Sequence, residues 1–142
     1  KRMIKVKILN NNAKVPIKNY NGDAGFDLFA MKDVHIPHMK WEKIPVGIAV
    51  EIPLGTVLLV QEKSGMASKL GLMTIGNVID ASYRGEIHVI LFNFGDDILI
   101  RKGQKIAQAL LLYCYTGKEI EVVNELSITE RNDSGFGSTG DR

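Results

Sequence analysis

Apolar and polar positions alternate along this chain in short runs with a period near two, the signature of strands with one buried face. MIKVKIL at 3–9 interleaves apolar and basic residues. Similar runs follow: VGIAVEI at 46–52, TVLLVQ at 56–61, IHVILFNF at 87–94, KIAQALLLYCY at 105–115 and EIEVVNEL at 119–126. Turn-forming residues punctuate them at Asn21-Gly22, Pro53-Leu54-Gly55, Gly95-Asp96-Asp97, Lys102-Gly103 and Gly117. Only KSGMASKLGL at 63–72 has a helical pattern, and its two glycines limit it to a turn or two. Many short strands with frequent turns predict an all-β sandwich, jelly roll or barrel.

Composition narrows the function classes. The 142 residues suit one domain with a real core, and 45% hydrophobic with 24% charged residues is ordinary for a globular protein. A net charge of +2 announces neither nucleic-acid nor membrane binding, so no partner of either kind is expected. Cys114 is the only cysteine, which excludes an intrachain disulfide and suits a reducing compartment. The longest apolar run, IAQALLLYCY at 106–115, is too short for a membrane span, and residues 1–10 show no signal-peptide pattern. A cytoplasmic location is expected, or a nuclear one in a nucleated cell.

Four segments read as neither plain strand nor plain turn. NGDAGFDLFA at 21–30 sets two aspartates around a glycine, with too few oxygen ligands for a calcium loop. Lys63-Ser64-Gly65 opens the helical turn, where free N–H groups favour anions, although a simple cap is the plainer reading. GNVIDASYRGEI at 76–87 holds Asp80 and Tyr83 beyond a Gly76-Asn77 step that predicts a hairpin tip able to read a base edge. RNDSGFGSTG at 131–140 combines a guanidinium, three hydroxyls, three glycines and the isolated Phe136. By its residues it is either a fraying end or a lid that closes over a polyphosphate. His35, His38 and His88 lack a matched third ligand and read as surface or strand residues, so no protein-held metal is expected. Met39 and Trp41 read as packing residues.

In chain order, DAGFDLFA, KSGMA at 63–67, GNVIDASYRGEI, KGQKIAQ at 102–108 and RNDSGFGSTG resemble the five motifs of the trimeric deoxyuridine triphosphatase (dUTPase) family. The resemblance implies the dUTPase-type jelly-roll-like β-barrel, or β-clip, with one short helical turn. It implies one barrel domain over 1–128 and a mobile lid over 129–142. The implied reaction is hydrolysis of dUTP to dUMP and pyrophosphate by water attack on the α-phosphorus, with Mg²⁺ bridging the triphosphate. It also implies a homotrimer with shared active sites, each closed by a neighbour's tail.

Carried over residue by residue, the resemblance makes Asp80 the general base. Lys63, Ser64, Gly65, Gln108, Arg131, Ser138 and Thr139 become phosphate contacts. The base would be read by the backbone of Gly76, Asn77, Val78 and Ile79, with Tyr83 against the deoxyribose and Phe136 stacked on uracil. Asp27 would hold Mg²⁺-bound waters from behind or serve a structural role. Fixed backbone groups suit this task, because cytosine presents a donor where uracil presents an acceptor.

The chain departs from the family pattern in places. Glu62-Lys63 stands where the family usually has Pro-Arg, which keeps the charge but loses the bidentate fork. Thr74, Asn77, Asn132 and Ser134 also differ from common family residues. Two rivals remain at this point. One is a dCTP deaminase-related enzyme, which needs a glutamate beyond Gly85 that Glu86-Ile87-His88 supplies poorly. The other is a nucleotide-gated protein-binding dUTPase of the phage type.

Overall fold

The fold is described from a computed structural model covering residues 3–140; residues 1–2 and 141–142, counted above in the expected barrel and lid, lie outside the described residues. Eleven strands and one helix follow one another along it. They are β1 (Lys5–Ile8), β2 (Phe26–Phe29), β3 (Val34–Ile36), β4 (Trp41–Pro45), β5 (Ile48–Glu51) and β6 (Thr56–Gln61). Helix α1 (Ser64–Leu70) comes next, then β7 (Leu72–Ile75), β8 (Val78–Asp80), β9 (His88–Asn93), β10 (Ile98–Ile100) and β11 (Lys105–Tyr113). The fold is all-β and jelly-roll-like, with antiparallel strand pairs throughout the described sheets.

The largest sheet has the order β2-β11-β6-β8, and a second has the order β4-β9-β7. Pairs β1-β5 and β3-β10 complete the set. Alternation does in the structure what it predicts in the sequence. Thr56, Leu58 and Val60 of β6 face inward, while Val57, Leu59 and Gln61 are only half-buried. Val89, Leu91 and Asn93 of β9 likewise face inward. These faces meet Leu28, Ile36, Ile44, Ile48, Leu72, Ile100 and Ile106 in one contiguous apolar core.

Three departures from the sequence expectations have physical reasons. The segment read as an aspartate loop contains β2, whose residues Asp27, Leu28 and Phe29 are all buried, so no alternation betrays it. Gly76-Asn77 is not the tip of a hairpin. The strand before it, β7, pairs with β9, whereas the strand after it, β8, pairs with β6, so the turn passes from one sheet to the other. Gly76 makes that passage at φ +64°, a conformation open to glycine without strain. Finally, EIEVVNEL at 119–126 forms no strand, and Ile120, Val122 and Leu126 are exposed. A strand needs a ladder partner, and among the described residues none lies beside this segment.

Candidate active site

The phosphate-side candidates gather around one buried carboxylate. Asp27, only 2% exposed, lies on β2 directly opposite Gln108 of β11. Its Oδ1 accepts from Lys63 Nζ. Its Oδ2 accepts from Asn19 Nδ2 at 2.7 Å and lies 3.3 Å from Lys105 Nζ. Burial pushes this carboxyl's pKa up, but the bonds from Lys63, Asn19 and Lys105 outweigh it, and the net position is below the ordinary value. Asp23 contributes by accepting from the N–H groups of Asn19 and Tyr20 at 3.2 and 2.9 Å, which folds the loop that delivers Asn19.

A β-bulge aims these side chains. Lys105 pairs with Phe29, but Ala107 pairs with Leu28, so Ile106 is an extra residue in β11. In a plain strand, residues three apart point to opposite faces. The bulge places Lys105 and Gln108 both on the face of Asp27. Gly25 completes the arrangement, since a Cβ there would stand 2.6 Å from Gln108 Oε1.

Lys63 is the N-cap of α1; its ammonium, a donor only, cannot cap the helix N–H groups and donates to Asp27. Ser64 and Gly65 form the first turn of that helix. The residue before, Glu62, is tied at both ends. Its carbonyl accepts from Gln108 Nε2 at 3.1 Å, and its Oε2 accepts from Thr74 N at 3.0 Å and Thr74 Oγ1 at 2.7 Å. The Thr74 hydroxyl and amide hold the Glu62 carboxyl below its ordinary pKa, against the opposing effect of burial.

The base-side candidates lie across the same sheet. Asp80 pairs with Val57, and Val60 N–H donates to Asn77 O at 2.8 Å. Asn77 Oδ1 is the one buried side-chain oxygen or nitrogen without a hydrogen-bond partner among the described residues. Beyond β8 the chain turns through Tyr83 N–H to Asp80 O at 3.1 Å, and the Tyr83 hydroxyl donates to Glu86 O at 3.1 Å. Asp80 and Gln108 share the outer face of the sheet, since their partners Val57 and Gln61 belong to the half-buried set of β6. They stand four residues apart along β6 and on opposite sides of it, about 16 Å from strand rise and spacing.

The tail candidates stay apart from both groups. Arg131, Ser138 and Thr139 are exposed, and Phe136 is fully so. The bonds of this segment are local: Ser134 N–H to Arg131 O at 3.0 Å, Ser138 N–H to Gly135 O at 3.1 Å, and Arg131 Nε to Ser134 O at 2.8 Å. The histidines do not cluster either. His38 Nδ1 bonds Gly95 O at 2.6 Å, and His88 bonds Glu86 O at 3.2 Å. Among the described residues, no three of His, Cys, Asp and Glu converge as metal ligands.

The structure adds Lys105 and Asn19 to the candidates, neither of which the sequence singles out. Lys105 carries no readable signal, because strand alternation sends it away from Gln108 and only the bulge brings it back. Asn19 lies eight residues before Asp27, and the loop between them conceals the contact.

The family model described as dUTPase matches residues 11–140. The chain is 40% identical over 136 residues to the deoxyuridine 5'-triphosphate nucleotidohydrolase of Paramecium bursaria Chlorella virus 1, covering 95% of this chain and 96% of the relative. It is 41% identical over 140 residues to the enzyme of the same name from Clostridioides difficile, covering 96% and 97%. Among solved structures, the Staphylococcus bacteriophage 80alpha dUTPase with dUpNHpp superposes with a TM-score of 0.93 at 29% identity, over 99% of this chain and 100% of that one. The dUTPase of phage phi11 of S. aureus, described with a structural Mg(II) ion, superposes with a TM-score of 0.83 at 26% identity, over 89% and 99%.

Proposed function

Since this chain belongs to the dUTPase family and is a dUTP diphosphatase, we propose that water attacks the α-phosphorus of dUTP in a site built from several copies of it, with Asp80 as general base. The observation that carries this reading is the gathering of Lys63 and Gln108 around the buried Asp27 beside the first turn of α1, with Asp80 held about 16 Å away, where it serves the phosphate group of a neighbouring copy. General-base assistance contributes about 10²–10⁴-fold. The remaining acceleration comes from positioning and charge neutralisation along the triphosphate.

In this reading Lys63, Ser64, Gly65 and Gln108 take the phosphates, and Arg131, Ser138 and Thr139 close over them from the tail. Uracil is read by the backbone from Gly76 to Ile79. Tyr83 packs on the deoxyribose, held by its bond to Glu86 O, and Phe136 stacks on the base. Magnesium is placed on the substrate. Both oxygens of Asp27 are engaged by protein donors, so this carboxylate fits a structural role better than a grip on ion-bound waters. Bound with the triphosphate, Mg²⁺ would supply charge neutralisation, while Lys63, Gln108 and the lid residues Arg131, Ser138 and Thr139 hold the phosphates.

Two features support a homotrimer with shared sites. The gap of about 16 Å between Asp80 and Gln108 exceeds what two side chains bridge around one reacting phosphorus, within about 3 Å of each. The exposed alternation of EIEVV at 119–123 complements β1, where Lys5 and Lys7 alternate with Val6 and Ile8. Acidic residues of one copy would face basic residues of the next, with apolar residues turned inward. The barrel then ends within the chain near residue 128, and 129–142 acts as the lid. The lone exposed Cys114 suits a reducing cytoplasmic setting. Among the described residues, no helix is long and apolar enough to cross a membrane.

The similar relatives carry the nucleotidohydrolase name, which favours the hydrolase over both rivals, while the phage 80alpha dUTPase, described as controlling transfer of virulence genes by a G protein-like mechanism, is the neighbour that speaks for the protein-binding one. The test is pyrophosphate release in the presence of Mg²⁺ from dUTP, dTTP, dCTP and UTP. Release from dUTP alone is expected. Equal release from UTP overturns the roles given to Tyr83, and equal release from dCTP overturns the base turn.

A further inference from the structure

The phosphate group and the base turn meet at one contact, Glu62 with Thr74, that lies outside the residues assigned above. Thr74 sits in β7, the outer strand of the β4-β9-β7 sheet, and is 2% exposed. Its N–H points away from β9, so no strand accepts it, and the Glu62 carboxylate does so at 3.0 Å. The same oxygen accepts the Thr74 hydroxyl at 2.7 Å. Glu62 belongs to the other sheet's margin, immediately after β6 and immediately before Lys63. Its own carbonyl accepts from Gln108. Two residues beyond Thr74 comes Gly76, where the chain crosses between sheets.

We infer that Glu62 and Thr74 are a positioning pair that locks the Lys63-Ser64-Gly65 turn to the Gly76-Asn77 turn, so that one carboxylate fixes both nucleotide-binding margins of a copy. Neither residue touches the substrate. Their effect runs through Lys63 and Gln108 on one side and through the base turn on the other. A half-buried carboxylate accepting two donors from one buried residue has a single low-energy geometry, whereas a loop joined by exposed bonds has many. Loosening the contact lets both margins shift together, whether they serve one nucleotide or two in the assembly. The consequence for catalysis rests on the dUTPase reading; the mechanical link does not.

The decisive variants are Thr74→Val, which removes only the hydroxyl, and Thr74→Ser, which restores it. Glu62→Ala removes both bonds. For Thr74→Val, KM for dUTP is expected to rise roughly tenfold, the scale of one lost bond to a charged acceptor, with kcat within about twofold. Thr74→Ser should return KM towards the wild-type value. Amide hydrogen exchange on the full chain without nucleotide should quicken in Thr74→Val over both 62–66 and 74–79. Exchange that quickens around 72–75 alone, or an unchanged KM, overturns the pairing. If Glu62→Ala fails to fold, the valine and serine variants still decide. A wild-type protein that leaves dUTP intact would refute the proposed function, and the exchange pattern would then judge the link by itself.

Discussion

The Asp27 group and the 131–140 tail hold candidate contacts for the same triphosphate, and they are built in opposite ways. Asp27 is buried, with both oxygens bonded to side chains from three separate elements of the chain. In the tail the hydrogen bonds run between residues three apart, and the side chains meant for ligand face solvent. The first region is paid for during folding, so it presents lysine at a fixed place before any nucleotide arrives. The second must order on binding, at about 1–2 kcal/mol per residue fixed, and only contacts with nucleotide and a neighbouring copy can offset that. Rigid chemistry on the barrel with a late-ordering cover admits substrate and then excludes water.

The comparison breaks most visibly at Asp80. Asp80→Asn should lower kcat by about 10²–10⁴-fold while a non-hydrolysable dUTP analogue binds as before, because the amide cannot take the proton from water. Single-turnover kinetics with parallel calorimetry checks this, and retained turnover removes Asp80 from the base role. A chain ending at Glu130 should unfold at the same temperature as the full chain yet lose most of its kcat/KM. Loss of folding in that truncation would erase the distinction between the two regions. Phe136→Ala should weaken nucleotide binding by about 1–3 kcal/mol without changing thermal stability.

Lys63→Ala should affect both folding and binding. Withdrawing a donor from buried Asp27 should destabilise the fold by about 1–3 kcal/mol, measured by urea unfolding, in addition to weakening phosphate binding. A Lys63 variant of unchanged stability would mean that Asn19 and Lys105 suffice. The smallest effect is on pH. Asp27 and Glu62 both have folded pKa values below their ordinary ones, so the folded state holds fewer protons than the unfolded state over that range. Their stabilisation is complete above the unfolded carboxylate value, about 4, and is lost as pH falls through the lower folded values. Urea midpoints should therefore be level from neutral pH down to about 5 and decline below about 4. The truncated and full chains should trace the same curve.

The strands around 5–8, 48–51, 56–61, 88–93 and 105–113 were legible as short apolar runs; strict alternation holds in β6 and β9, whereas β5 is buried at three successive residues and showed only as a continuous apolar run. Alternation failed for β2, which is buried along most of its length, and for the three-residue strands β3, β8 and β10, which are too short for a period to appear. The turn at Gly76 was legible from composition, but its two flanking strands join different sheets, and local residues carry no record of that. Lysine at position 63 was visible as a departure from the family pattern. Its ion pair with Asp27, 36 residues away, emerges only from the pairing of β2 with β11 and of β11 with β6. Thr74 and Glu62 were equally visible as departures, whereas their mutual bond joins β7 of one sheet to the end of β6 in the other.

The extra residue at Ile106 sets a rule for changes in chain length. With it, Lys105 and Gln108 are in phase despite their odd spacing. Deleting one residue between them would send Gln108 into the core or Lys105 away from Asp27, although every surviving side chain kept its identity. Between the end of the β6 ladder at Tyr113 and the alternating segment that starts at Glu119, no such phase has to be kept. Insertions and deletions should therefore be purged from 105–108 and tolerated in the stretch that leads out of the barrel.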